Sequence, residues 1–265
     1  MQNPELPPAA PVQATDPGEG VDVKRAFTFV FKAEEGYRTL LMCALYMFVP
    51  VVGGLAFQGY MVRLTKNLVV RGDDRAMPPM DGFGDLINLG IPPFVVSMIA
   101  MFPLMFIMYF GMGLAVVVAM VLAGVASGGL MAAGLDPAIS SMVGLVVAIL
   151  AGVTTFVLVY VAMILVAYPL QAAMTLVDVS GKINYAWNFA AIKDFMRVLK
   201  PDYRRSFIKM MLANILVLTI GLLLCGIGYM PGLVVMTFAS AHLRAQLYRL
   251  YLARGGEAVP MDPRM

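Results

Sequence analysis

"MFVPVVGGLAFQGYMVR", Met47 to Arg63, is the stretch whose reading decides the fold. It resembles the middle of a transmembrane helix, yet Pro50 and the Gly53-Gly54 pair stand near its start. Arg63 follows the proline by only thirteen residues. Either the segment crosses the membrane once, or it enters and turns back. That choice sets the side on which every other basic residue falls.

The surrounding chain is that of an integral membrane protein. Of its 265 residues 60% are hydrophobic and 13% charged, against roughly 25% charged in soluble domains. No charge occurs from Leu86 to Leu135, and none from Pro137 to Val177. Each run exceeds the ~20 apolar residues of one spanning helix. The runs do not alternate polar and apolar residues, which excludes a β-barrel. The class is all-α: a polytopic helical membrane protein.

The 19 Lys and Arg residues fall in four clusters, Lys24 to Arg38, Arg63 to Arg75, Lys182 to Lys209 and Arg244 to Arg264. The connections at Pro50–Gly54, Gly128–Pro137 and Gly226–Gly232 contain none. Basic loops stay on the cytoplasmic side. A single crossing at Met47–Arg63 would separate the first two clusters. A hairpin with its tip at Pro50–Gly54 puts all four clusters on one side and all three bare turns on the other. The sequence therefore predicts three helical hairpins, with both termini at the cytoplasmic face of a bacterial-type membrane. The first hairpin is short: its arms, Gly36–Val49 and Val51–Val62, are about 21 and 18 Å of helix against ~30 Å of hydrocarbon. It is re-entrant, or it spans with local thinning and snorkelling of Arg38 and Arg63.

Outside the hairpins, residues 1–20 carry five prolines and no aromatic residue, a composition that predicts a disordered cytoplasmic tail. The helical transmembrane domain is placed at 21–254, and a flexible tail at 255–265. Two amphipathic surface segments are expected. "VDVKRAFTFVFKA" sets Lys24 and Arg25 beside Phe27 and Phe29. Residues 183–200 set Lys193, Arg197 and Lys200 opposite Phe189, Ile192, Met196 and Leu199, with Trp187 as an interfacial anchor and Pro201 as the stop. These five basic residues are the candidate lipid-headgroup contacts. Asp81 is a candidate N-cap for the helix that follows it. Pro92-Pro93, Pro103 and Pro169 are candidate kinks or breaks in the two long apolar segments, each about 60 Å if unbroken.

Chemistry-bearing groups are sparse. Cys43 and Cys225 sit in apolar runs without a C-x-x-C spacing and read as buried thiols. The single histidine, His242, reads as interfacial and builds neither a zinc site nor a triad. Asp73, Asp74, Asp81 and Asp85 lie beside Arg63, Lys66, Arg71 and Arg75. That group reads first as a self-neutralised loop and second as a cation or proton site. No acid or base is placed mid-span, which argues against a pump, whose path buries ionisable groups, and against an intramembrane hydrolase. The expectation is a protein that is not an enzyme and needs no cofactor or metal. Small residues recur every fourth position: Gly111, Ala115, Ala119, Ala123 and Ser127 in one segment, and Ser140, Gly144, Ala148 and Gly152 in the next. Such stripes let helix backbones approach closely where lipid supplies no hydrophobic drive. They serve packing between the two segments, or packing between subunits.

"FQGYMVRLTKNLVVRGDDRAMPPMDGFGDLINLG" and "LLLCGIGYMPGLVVMTFASAHLRAQLYR" make the chain resemble the family catalogued as domain of unknown function 4013, multi-pass membrane proteins of bacteria and archaea. The resemblance covers Ala26 to Arg249. It rests on Gly59-Tyr60 with Arg63, Arg71-Gly72-Asp73, Pro79 ahead of Asp81, Phe83, Gly84 and Asp85, Cys225 to Gly228, and Ser240 to His242 with Gln246, Tyr248 and Arg249. The family often has Trp at the position of Met80 and an acid at Gly82. It implies the membrane fold and carries no activity. The functional expectation is a non-catalytic scaffold, homo-oligomeric or bound to an unidentified protein partner, whose basic segments read anionic lipid in the bilayer. The other class is a passive channel or carrier for a small or lipid-like solute. Nucleic acid is not expected as a partner.

Overall fold

The computed structural model describes residues 20–72, 77–223 and 229–261. The proline-rich tail at 1–19, the loop at 73–76, Cys225 with its turn, and residues 262–265 lie outside them. Among the described residues there are eight α-helices and no strand: α1 Val23–Lys32, α2 Gly36–Tyr46, α3 Val52–Arg71, α4 Phe83–Ala132, α5 Pro137–Ser180, α6 Phe189–Val198, α7 Lys200–Leu223 and α8 Tyr229–Ala253. A 3-10 turn, Ile183–Trp187, precedes α6. The helices fall into two compact units, one of residues 20–96 and 171–261, the other of residues 97–170.

The Met47–Arg63 stretch does not form one helix. The chain breaks between Tyr46 and Val52. Val51 has φ +60° and ψ −62°, and the Val52 N–H donates to the Pro50 carbonyl at 2.6 Å. That is a γ-turn of the strained kind, rare for a β-branched residue. The break lies slightly ahead of the expected tip, because Gly53 and Gly54 belong to α3. Gly53 is needed for contact: a Cβ there would lie 1.9 Å from the Tyr46 carbonyl oxygen, so no other residue lets α3 start this close to α2. Beyond Val62 the helix runs on to Arg71 and closes on Gly72, at φ +67°, whose N–H donates to the Leu68 carbonyl.

In the first unit α8 is the central helix, with α1, α2, α3 and α7 packed on it. Every residue from Ala241 to Ala245 is buried. α1 presents Ala26, Phe29 and Val30 to this core at helical spacing, and the Asp22 side chain caps it by accepting the Arg25 N–H at 3.0 Å. The α3–α4 crossing is closest at two glycines. A Cβ on Gly59 would lie 1.7 Å from the Leu86 carbonyl oxygen, and one on Gly90 would lie 1.9 Å from that of Leu55. α6 ends at Val198, close to the stop expected at Pro201, and Pro201 itself lies in the first turn of a new helix, α7. Proline is favoured there because its missing N–H has no helical partner to lose.

Two helices, α4 and α5, are long and apolar enough to cross a membrane, and only 6% of their most apolar stretches is buried. They run for 50 and 44 residues. Of the kinks or breaks expected at Pro92-Pro93, Pro103 and Pro169, the breaks are absent: α4 and α5 run through all four prolines. Each proline removes one backbone donor, and the bonds on either side suffice to carry the helix onward. In the second unit the arms are joined at 133–136, where Gly134 has φ +83°. The Leu135 N–H donates to the Leu130 carbonyl, and Asp136 Oδ1 accepts from the Ala138 N–H at 2.7 Å, starting α5.

Candidate functional site

The polar chemistry of the first unit is inside it. Lys66 on α3 is 0% exposed, Asp178 near the end of α5 1%, and Arg244 on α8 6%. Arg244 Nη1 lies 2.7 Å from Asp178 Oδ2. Arg244 Nε also donates to the Ser240 carbonyl at 3.4 Å, and the Lys66 ammonium acts electrostatically on the same carboxylate. One buried acid is thus paired with Arg244 and acted on by Lys66, the three residues coming from three helices. Thr65, Thr175, Ser180 and Ser206 are buried as well. Thr175 and Ser180 donate to carbonyls of their own helix. The Thr65 hydroxyl has no hydrogen-bond partner among the described residues.

The sequence reading missed this cluster. Asp178 follows directly on the uncharged run Pro137–Val177, and Lys66 and Arg244 belong to basic clusters that the charge pattern places on the cytoplasmic side. A signal existed for Lys66: it sits four residues after Val62 and three before Val69, on the face that α3 buries. His242 is a correction. It is 2% exposed rather than interfacial, because α8 is covered on the side that carries it. Its ring lies 4.4 Å from that of Phe29.

Beside His242 is a cavity of about 270 Å³, bounded by α1, α3 and α8. Asp22, Arg25, Leu68, Gln246 and Arg249 line it along with the histidine. Gln246 organises the wall. Its Oε1 accepts the Asp22 N–H at 2.8 Å, and its Nε2 donates to the Asp22 carbonyl at 3.1 Å. The same Nε2 lies 2.8 Å from His242 Nδ1. An amide nitrogen only donates, so Nδ1 accepts and the proton of a neutral ring is on Nε2.

The five predicted headgroup residues, Lys24, Arg25, Lys193, Arg197 and Lys200, are all exposed. Arg197 is also paired to Asp194, one turn earlier. Asp194 in addition accepts the Tyr251 hydroxyl at 2.8 Å. The Tyr251 bond first, then Arg197, holds the Asp194 carboxyl below the usual carboxylate range. Ile192, Phe195 and Leu199 are buried on the other side, whereas Trp187 and Phe189 are exposed. Asp81 accepts from Arg63 Nη1 through its carboxylate at 3.1 Å and its carbonyl at 3.0 Å. Among the described residues no group of His, Cys, Asp and Glu is placed to hold a metal ion. Cys43 is buried.

In the second unit the small-residue stripes face the opposite arm. A Cβ on Gly144 would lie 3.1 Å from both the Ala123 carbonyl oxygen and Ser127 Cβ, and one on Gly111 would lie 2.5 Å from Val159 Cγ2. Ala115 and Ser140 are buried, Ala119 and Ala148 partly so, and Gly152 has open space where its side chain would be.

Neither a curated protein nor a solved structure matches the chain. The family described as protein of unknown function (DUF4013) matches residues 42–226, a narrower span than Ala26–Arg249 that leaves out His242 and Arg249. That match covers more than half of the 265 residues, and the chain belongs to this family.

Proposed function

We propose that this protein is a non-catalytic scaffold of the prokaryotic inner membrane, built as three hairpins with cytoplasmic termini. It assembles with copies of itself and holds anionic lipid at its basic segments. The observation that carries this reading is the second unit. Its arms, 97–132 and 137–170, are about 54 and 51 Å of helix, and large apolar side chains such as Phe102, Phe106, Met120, Leu150 and Leu158 are exposed along them. Hydrocarbon covers ~30 Å, and a 40° tilt still leaves about 10 Å of each arm beyond it. An apolar surface of that kind is covered by a partner, and an identical neighbour is the simplest one. In the first unit, Leu41, Leu45, Phe48, Val49 and Val51 are exposed around the α2–α3 break, as are Leu212, Leu216 and Leu223 on α7. These side chains suit lipid around the α2–α3 break and along α7.

Mass measurement and cross-linking in lipid nanodiscs test the assembly. A defined oligomer is expected at several protein-to-lipid ratios. Ala115→Leu with Ala119→Leu should disrupt close packing in the hairpin and, with it, the oligomer. A wild type that stays monomeric throughout would refute the scaffold. The carrier reading is the alternative, and the buried Lys66, Asp178 and Arg244 favour it, because ionisable groups inside a membrane protein commonly mark a solute or proton path.

A further inference from the structure

We propose that the cavity between α1, α3 and α8 binds a phosphate group, carried either by an anionic lipid or by free inorganic phosphate. The lipid source rests on the scaffold reading above, and the free anion does not. Arg25 reaches the cavity from α1 and Arg249 from α8. Each guanidinium has five donors in a planar fork that matches phosphate oxygens, so a bond to another partner leaves further donors available. Asp22 supplies the one acidic side chain among the lining residues, and its Oδ1 is turned to the Arg25 backbone N–H. Two guanidiniums against one carboxylate leave the wall with a net positive charge. Leu68 and Ala245 close the apolar side.

Size and position agree with a headgroup. The cavity, about 270 Å³, is at the small end of ligand pockets, which run from ~300 Å³ upward, and suits a phosphate with a short alcohol better than an acyl chain. On the hairpin topology, α8 rises about 27 Å from Pro231 to Arg249. That is close to one hydrocarbon thickness of ~30 Å, so Arg249 is at the level of the cytoplasmic headgroups. Gln246 holds the wall in place, because it fastens the start of α1 to α8 through both Asp22 backbone groups.

The test uses the full chain in nanodiscs of zwitterionic lipid. One arm adds a small fraction of phosphatidylglycerol and reads co-purified lipid by native mass spectrometry. The other adds sodium phosphate and reads the unfolding temperature against sodium chloride at equal ionic strength. Wild type should retain phosphatidylglycerol, and Arg25→Gln with Arg249→Gln should lower that retention at least tenfold. Arg25→Lys with Arg249→Lys should fall between the two. A rise of the unfolding temperature in phosphate identifies the free anion as a ligand, and retention without that rise identifies the lipid. Equal retention by wild type and the Gln variant, with no response of wild type to phosphate, overturns the proposal. If the Gln variant does not fold, the wild-type arms decide alone: neither retention nor a phosphate response overturns it, and either one supports it. A Lys193→Gln, Arg197→Gln and Lys200→Gln variant tests the general lipid reading separately, through binding to anionic vesicles, and leaves the cavity intact.

Discussion

Removing the Asp178 carboxylate leaves Arg244 in the core without its ion-pair partner and takes away a negative charge that acts on Lys66. Both bases are less than one-tenth exposed, so water cannot replace the lost partner. Breaking a buried pair by deleting one member costs about 3–5 kcal/mol. The penalty comes from the charges that remain, not from the lost contact. Asp178→Ala should therefore reduce the folding equilibrium constant by about two to three and a half decades at 1.4 kcal/mol per decade. Deleting all three charges together, Lys66→Met with Asp178→Leu and Arg244→Met, removes the unpaired groups along with the carboxylate. Replacing a buried ion cluster by apolar side chains of similar volume is often neutral or stabilising. The triple variant should recover most of the loss. Denaturant unfolding in mixed micelles, followed by helical circular dichroism, reads both. A loss below about 1 kcal/mol for Asp178→Ala would show that the carboxylate is not the counter-charge the geometry makes it. A triple variant no more stable than Asp178→Ala would show that the cost lies in packing rather than charge.

At the α3–α4 crossing, Gly59→Ala sets a methyl 1.7 Å from a backbone oxygen that has no rotamer to yield. A loss of about 1–3 kcal/mol is expected, as for other overpacked sites. Gly90→Ala should behave alike, and an unchanged denaturation midpoint in either variant would contradict the crossing. Asp194 titrates below the ordinary carboxylate value, so its contribution to stability is present above the unfolded value of about 3.9 and is lost as pH falls through the lowered one. Tyr251→Phe removes the largest cause of that lowering and should flatten the acid-side loss of unfolding temperature. A superimposable pH profile would reject this assignment. For topology, cysteines at Ala33 and Met77 should label from the same face of oriented vesicles, the cytoplasmic one. Labelling from opposite faces would refute the first hairpin.

The helical class was legible because it is written in long runs, and the family because short motifs such as Gly59-Tyr60 with Arg63 carry it. An uncharged stretch of forty residues has few structural solutions, and α4 and α5 occupy those stretches. The break inside Met47–Arg63 was legible because a proline and two glycines stand together. Its position was less so: Gly53 and Gly54 looked like the turn itself and are instead the residues that let α3 start against Tyr46. The prolines of α4 and α5 are not breaks, for the converse reason. A proline lowers the preference for helix locally, and a long apolar helix carries enough remaining bonds to continue through it.

The buried charges were illegible for a different reason. Lys66, Asp178 and Arg244 are far apart in sequence, and each lies near charged residues that are exposed or half-buried, such as Arg71, Lys182 and Arg249. Counting charges by cluster assigns all of them to the same exposed face. Only the packing of α3, the end of α5 and α8 separates the three that turn inward. The same packing puts three ionisable groups inside the first unit, so buried charge does not separate a scaffold from a carrier. What now distinguishes the two readings is whether the triad is dispensable. A triple apolar variant that folds, assembles and retains lipid leaves the three charges a structural role, whereas a variant that folds and assembles but no longer passes a solute gives them a path.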